Sequence, residues 1–382
     1  VLRILHVSLG RAVPAEAAPE AKMTTRIPAP GFPNAYLCNY DAHQIERDLS
    51  CAEIMPQGVE PELMTFNDVW MYPGFSSLYQ DNGERIPGTE SRYFRPNTPV
   101  RPADIERSAV ANDGNSPLLV DPSALRKFYG GFLTIDRPIL YFGMYTRHYG
   151  HFLTDSMSRL WANRSLPSDL MRVFLPHGSP DRAKIPFIKF INEKLNLGSL
   201  PPEITSYPVR FRKVVVPEPA FQTRYRIFDN ADTPHLDVTH AVDHADEQTR
   251  PVYLSRSRLQ QRLRDISDED QVEAIFRSRG FQVIYPEMLT LSDQIKIFNT
   301  APILAGFIGS AFHTALFSRR SYSGQMILIA GNEVLSARFL LIGAIKGFTT
   351  DYVKAGRYSS SSGKREVIPD VDAIKSYLES KF

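Results

Sequence analysis

Residues 303–317 read ILAGFIGSAFHTALF, an apolar run that passes through two glycines into a second apolar run. Ile303 to Gly306 has the unbroken hydrophobicity of a strand buried on both faces, and Ser310 to Phe317 has the composition of a helix packed against it. A strand that turns through glycine into a helix aims backbone N–H groups and the positive end of the helix dipole at one point, which suits a diphosphate. Ser310 is placed to cap that helix, and His313, in its first turn, to reach the same anion. The competing interpretation is a glycine-rich turn without a ligand, which α/β domains use throughout.

Outward from this unit the same alternation continues. Val252 to Ser255, Phe281 to Tyr285 and Met326 to Ala330 read as strands, and Asp268 to Ser278 and Ser292 to Thr300 as helices between them. Strand and helix in turn predict a parallel sheet. Upstream, Ile139 to Phe142 reads as a strand, followed by the polar turn Gly143 to Tyr149 and a helix from about Gly150 to Ala162; Met171 to Leu175 and Lys213 to Val216 are further short apolar runs. Leu2 to Ser8 also reads as a strand, and Ala12 to Pro33 as a loop. Between residues 38 and 120 the chain is rich in Pro, Gly and Asn with scattered aromatics (Trp70, Tyr72, Phe75, Tyr79, Tyr93, Phe94), the composition of irregular structure laid on a scaffold.

A chain of 382 residues exceeds what one hydrophobic core usually supports. The polar stretch Asp229 to Arg250, with His235, His240 and His244, marks a junction. The expected organisation is an N-terminal domain over 1–235 with an irregular insertion near 38–120 and a C-terminal domain over 236–360. A tail over 361–382 then carries the helix Val371 to Leu378, expected to pack back on the N-terminal domain.

With 43% apolar and 23% charged residues the composition is that of a globular protein, and a net charge of +2 gives no reason to expect nucleic acid as a partner. Only Cys38 and Cys51 are present, without zinc-site spacing, which fits a reducing compartment. No run reaches the roughly 18 apolar residues that span a bilayer, and the first residues lack a signal peptide's charged and apolar sections. The chain opens on Val1 rather than Met, which leaves room for a preceding anchor. The sequon at Asn163 permits a secretory origin, but the balance favours a bacterial cytosol, with the inner membrane face as a place of work.

Three further constellations carry chemistry. In Tyr253-Leu254-Ser255-Arg256-Ser257-Arg258, an arginine follows a parallel strand at the edge where open α/β sheets bind ligands. Arg256 is the candidate phosphate ligand, while Arg262 and Arg264 read as a solvated basic loop facing the acidic run Asp265 to Asp270. Glu287, just beyond the strand ending at Tyr285, is placed to accept hydrogen bonds from ribose hydroxyls. In Arg147-His148-Tyr149-Gly150-His151-Phe152-Leu153-Thr154-Asp155, helical spacing puts His151 and Asp155 on one face, where the carboxylate can orient the imidazole as a general base. The reverse assignment, Asp155 as base with His151 orienting substrate, stands beside it. Arg147 and His148 are candidate acceptor contacts, though a histidine there also reads as a helix-terminal group bonded to backbone. No second cluster completes a zinc site around His148 and His151.

Together these motifs resemble glycosyltransferase family 61, which includes bacterial capsule-type transferases, plant xylan-decorating enzymes and animal O-linked N-acetylglucosaminyltransferases. The resemblance runs from about Ile139 to Ala330. It rests on HYGHFLTD (148–155) with Arg159-Leu160-Trp161, on Tyr253 to Arg256, and on PEMLTLSDQIKIFNTA (286–301) leading into the glycine turn. By resemblance, His151 and Asp155 fall on the family's His and acid four apart, Arg256 on its phosphate-gripping arginine and Glu287 on its glutamate. Gly309, Ser310 and Ala311 fall on its Gly-Ser-Ala turn.

What the resemblance implies is a GT-B fold, two Rossmann-like domains with parallel sheets facing a cleft. It implies an inverting, metal-independent hexosyl- or pentosyltransferase that needs no cofactor beyond a nucleotide-sugar donor, UDP-linked by expectation. The acceptor would be a glycan or glycolipid of bacterial surface polysaccharide, drawing the protein peripherally to the membrane. The chain departs from the family at Ile308, where a histidine is common, so a donor contact is lost or replaced by His313. The alternative is a catalytically silent carbohydrate- or nucleotide-binding protein on the same fold. A nucleotide-dependent epimerase fits less well, because no Gly-x-Gly-x-x-Gly follows the first strand.

Overall fold

The computed structural model describes residues 25–50, 52–72, 77–87, 89, 110–112, 117–167, 170–176, 185–195, 207–222, 225–242, 250–259, 264–319, 324–331, 335–359 and 365–382. The expected strand Leu2 to Ser8 lies outside them, as do Cys51, Phe75, Tyr93, Phe94, His244 and Arg262.

The C-terminal half is built on a seven-stranded sheet. Val252–Leu254 lies between Gln282–Ile284 on one side and Ile303–Phe307 on the other, and the order continues through Gln325–Ala330, Thr349–Lys354, Ala35–Cys38 and the edge strand Arg26–Pro28. All pairings are parallel except the last. The five strands from Val252 onward thus follow the doubly wound order 2-1-3-4-5, with the direction of winding reversed between Val252–Leu254 and Ile303–Phe307.

Side-chain alternation divides this sheet between two layers. Tyr253, Ala305, Phe307, Ile327, Ile329 and Val353 face the helices Glu269–Ser278 and Val371–Lys381. Val252, Leu254, Leu304, Met326, Leu328 and Tyr352 face Leu291–Thr300, Ser310–Phe317 and Ala337–Lys346. The terminal helix therefore lies on this sheet, where Tyr377 and Leu378 are buried, rather than on the N-terminal half as expected. The sheet also draws residues 26–38 from the other end of the chain, so its membership crosses the boundary expected at 235.

The N-terminal half holds a mixed sheet in which Met171–Pro176, Ile139–Tyr145 and Val209–Pro217 run parallel, followed by antiparallel Leu63–Met71 and Leu78–Tyr79. An all-parallel sheet was the expectation here. Leu63–Met71 reverses it because its first six residues alternate exposed and half-buried, the pattern of an antiparallel strand with one wet face. It also lies inside the stretch expected to be irregular. The helix expected over Gly150 to Ala162 is broken into a single α turn at Tyr149–His151, a π turn at Phe152–Ser156 and a 3-10 turn at Leu160–Asn163.

The halves share a core. Phe142, Phe152, Leu153, Phe228 and Val238 belong to the same buried cluster as Leu254, Phe312, Leu316, Phe317 and Leu340. A Lys346–Asp232 ion pair, 2.6 Å long and sealed from solvent, ties them further.

Candidate active site

Because Val252–Leu254 and Ile303–Phe307 are parallel neighbours, the segments that leave them emerge together at the carboxyl edge, at the reversal of winding where α/β sheets hold ligands. The two strands approach closely there. A Cβ on Gly306 would stand 2.8 Å from the Leu254 carbonyl oxygen, so only glycine lets the strands meet at this point. Three residues later a Cβ on Gly309 would stand 3.4 Å from Arg256 Nη1. The guanidinium and the glycine turn, candidates on separate grounds of sequence, are thus in contact range.

The Arg256 loop is held from beneath by two carboxylates. Glu269 Oε1 accepts from the Arg256 backbone N–H (3.0 Å) and from the Tyr253 hydroxyl (3.2 Å). Glu273 accepts from Ser255 (2.7 Å) and Ser257 (2.8 Å) through Oε1, and from Arg277 (2.7 Å) and Tyr285 (3.1 Å) through Oε2. Burial pushes the Glu269 carboxyl up. Burial works in the same direction on Glu273, but hydrogen bonds from Ser255, Ser257, Arg277 and Tyr285 outweigh it and hold its pKa below the ordinary value. Arg258 completes the loop by lying over the Tyr285 ring, 3.9 Å from its centroid. Neither glutamate was a sequence candidate. The signal was there: positions 269, 272, 273 and 276 form one helix face, and two carboxylates on a face with Val272 and Phe276 imply buried partners.

Glu287 sits in the 3-10 turn Pro286–Met288, exposed at the end of the neighbouring strand Gln282–Ile284. The rest of its motif has structural work. Thr290 caps Leu291–Thr300 by accepting from Asp293 N–H at 3.2 Å, and Gln294 donates back to the Pro286 carbonyl at 2.9 Å. Arg159 and Trp161 likewise anchor to the carbonyls of Pro217 and Glu218, fixing the broken helix to the mixed sheet.

After the glycine turn, Ser310–Phe317 is a 3-10 helix whose cap is Gly309, and no side chain caps its first turn. Ser310 therefore does not cap the helix as expected. The first N–H groups of such a helix have no intrahelical partner, which makes them donors toward the crevice. Ala311 is half-buried in the same turn. Ile308 packs partly buried against the core, its N–H bonded to the Ile329 carbonyl at 2.9 Å.

His313 has a different task from the one expected. Its Nδ1 is 3.0 Å from the Ser310 carbonyl and its Nε2 is 3.4 Å from Arg338 Nη1. A carbonyl only accepts and a guanidinium only donates, so both contacts are met by the neutral ring protonated on Nδ1. Burial, and after it the charge of Arg338, keep the imidazole pKa well below its usual value.

The His151 turn arrives against this helix. Gly150 packs on the His313 ring, where a Cβ would stand 2.7 Å from Cε1, and Tyr149 shares a 2.8 Å hydrogen bond with Thr314. His151 Nδ1 lies 3.0 Å from Asp155 Oδ2, and Thr154 donates to the other carboxylate oxygen at 3.2 Å. His148 caps the turn, its Nδ1 accepting from the His151 backbone N–H at 3.4 Å. That bond needs an unprotonated nitrogen, and the His148 pKa is lowered to about 4 by desolvation first, then by the fields of His151 and Arg338. Arg147 is exposed one residue earlier. Among the described residues no group of three or more His, Cys, Asp or Glu side chains is placed to hold a metal ion.

The arrangement puts a cation and a helix N-terminus at one strand edge, with an oriented imidazole on the element packed beside them. No curated protein matches the chain in sequence. A family model does: residues 149–324, the span that carries His151, Asp155, Arg256, Glu287 and the Gly309 turn, match the family described as Glycosyltransferase 61, the same family that the motifs resemble.

Proposed function

We propose that the protein is an inverting, metal-independent glycosyltransferase of GT-B type. Its nucleotide-sugar donor lies at the edge formed by Arg256, Glu287 and the Gly309–Ala311 turn, and its acceptor hydroxyl is activated by His151. The observation that carries the proposal is the meeting of Arg256 with Gly309 where the winding reverses, with the hydrogen-bonded His151–Asp155 pair on the turn packed against the same helix.

In the transfer, Asp155 holds the Nδ1 proton of His151 and Nε2 removes the proton of the acceptor hydroxyl. The acceptor oxygen attacks the anomeric carbon on the face opposite the nucleoside diphosphate. The bond from that carbon to the diphosphate oxygen breaks, and its electron pair leaves with the oxygen. Arg256 and the backbone N–H groups after Gly309 neutralise the charge that develops, which is why no divalent ion is required. Glu287 engages the donor ribose, and Arg147 lines the acceptor side. We further propose a UDP-linked hexosyl or pentosyl donor and a glycan or glycolipid acceptor of bacterial surface polysaccharide, reached at the cytoplasmic face of the membrane.

The test is a donor panel with sugar release and product formation followed separately, in chelator and with added manganese. Transfer in chelator is expected, and strict dependence on manganese would sink the metal-free mechanism. His151→Ala and Asp155→Asn are expected to lower turnover by about 10²–10⁴-fold with donor affinity unchanged. Donor binding without product in the unaltered protein would instead favour a silent sugar-binding role, the reading that Ile308 motivates.

A further inference from the structure

Gln325–Ala330 flanks Ile303–Phe307 on the side away from Val252–Leu254 and runs parallel to it. The chain beyond its carboxyl end therefore emerges at the edge already occupied by Arg256 and Gly309. The next element there is the helix Ala337–Lys346, ARFLLIGAIK, apolar but for Arg338 in its first turn and Lys346 in its last. Lys346 is accounted for by its buried pair with Asp232. Arg338 is half-buried on the His313 side, and it lies beyond the span that the family model matches.

His313 is built to hold it. The ring is buried, clasped between Gly150 and Phe339, whose ring centroid is 5.0 Å away, and fixed as the Nδ1–H tautomer by the Ser310 carbonyl. Its Nε2 is thereby an acceptor turned to Arg338 Nη1. The Ser310 carbonyl that sets this tautomer belongs to the turn whose other flank, at Gly309, is met by Arg256. One guanidinium, following the strand before the turn in the sheet order, meets it at Gly309; the other, following the strand after it, meets the His313 ring that the turn's Ser310 carbonyl holds.

We propose that Arg338 is a second phosphate-binding cation of the donor site, and that His313 is the positioning residue that aims it. The inference rests on the donor site described above. When the bond to the anomeric carbon breaks, the departing diphosphate oxygen keeps the electron pair and gains one negative charge, while the acceptor proton goes to His151. Two guanidinium groups, one at Gly309 and one held by His313, meet that charge without a metal.

The test is calorimetric binding of UDP and UMP, with GDP/GMP and dTDP/dTMP in parallel, to the full chain and to five variants: Arg256→Gln, Arg338→Gln, Arg338→Lys, His313→Asn and His313→Gln. Arg338→Gln is expected to weaken diphosphate binding by about tenfold or more and monophosphate binding by less than about twofold. His313→Gln, whose amide oxygen can stand where Nε2 accepts, is expected to stay near the unaltered protein. His313→Asn, which reaches only the Ser310 carbonyl, is expected to fall with Arg338→Gln.

Unchanged diphosphate affinity in Arg338→Gln, alongside a loss in Arg256→Gln, overturns the role of Arg338 and leaves the donor site standing. Equal loss for mono- and diphosphate, or an effect confined to the acceptor KM, also overturns it. Should Arg338→Gln fail to fold, Arg338→Lys carries the same comparison, since it keeps the charge and loses the fork. If the unaltered protein binds none of the three diphosphates, the donor site itself is wrong and the inference falls with it.

Discussion

Gly150 lacks a side chain because the His313 ring fills the space where one would stand, 2.7 Å from Cε1 and 2.8 Å from Nδ1. His313 cannot step aside, being bonded at both nitrogens and buried. Alanine at 150 must therefore push the His151 turn off the Ser310–Phe317 helix or tear His313 from Arg338. Gly150→Ala is expected to lower stability by about 1–3 kcal/mol, the usual cost of overpacking, and to reduce turnover more than a stability loss of that size explains. Gly131→Ala is the control, since a Cβ there meets nothing within 4 Å. Urea midpoints and initial rates on the two variants check this; a Gly150→Ala protein with normal rates would mean that the contact does not position His151.

At the scale of elements, the loop that carries Arg256 owes its shape to the helix beneath it. Four donors converge on the Glu273 carboxylate, and a neutral amide in its place would set one N–H₂ against donors. Glu273→Gln is expected to weaken donor binding by about three- to tenfold while leaving the acceptor KM unchanged; equal shifts in both constants would count against a local clamp. These elements also show how far the sequence could be read. Val252–Leu254, Ile303–Phe307 and Gln325–Ala330 are legible because strands buried on both faces are uniformly apolar. Thr349–Lys354 is not, because buried Asp351, serving Arg26, Tyr377 and Lys381, interrupts its apolar run. Leu63–Met71 hides behind Asn67 and Asp68, the latter at φ 52° and paired with Arg210 and Arg212. The His151–Asp155 pair was legible as an i, i+4 spacing, but the π turn that carries it was not, since one extra residue in a turn leaves no periodic mark. Arg338 carries no such signal, because a single charge in an apolar helix has no meaning until its strand order is known.

For the whole molecule, the helix Thr233–His240 joins the two halves, and the buried one of its two histidines, His235, makes the join sensitive to acid. His235 Nε2 lies 3.0 Å from the Leu153 carbonyl, its ring packs edge-on to Phe317 at 5.2 Å, and Thr239 donates to the Phe317 carbonyl. Burial first, then the charge of Lys346, pull the His235 pKa from 6.5 to about 4. A histidine depressed in the folded state is neutral in both states above pH 6.5, so its contribution is fully present there. Between 6.5 and about 4 the unfolded chain takes a proton that the folded chain refuses, and stability falls by ~1.4 kcal/mol per pH unit for this one group. Below about 4 both states are protonated and the slope from His235 ends. His313, depressed by burial and Arg338, adds to the decline in the same direction. His235→Gln keeps a donor for the Leu153 carbonyl but does not titrate. Its stability against pH, from urea midpoints taken between pH 7 and pH 4, is expected to fall less steeply than that of the unaltered protein by about one proton's slope. Parallel curves would mean that the imidazole is already charged in the folded state. The loss should also reach activity before it reaches global unfolding, because Leu153, to which His235 is bonded, lies in the π turn between His151 and Asp155. Since the folded chain takes this proton only near pH 4, an assay held at pH 4 is expected to show a larger fractional loss of turnover in the unaltered protein than in His235→Gln, while both still give native melting curves.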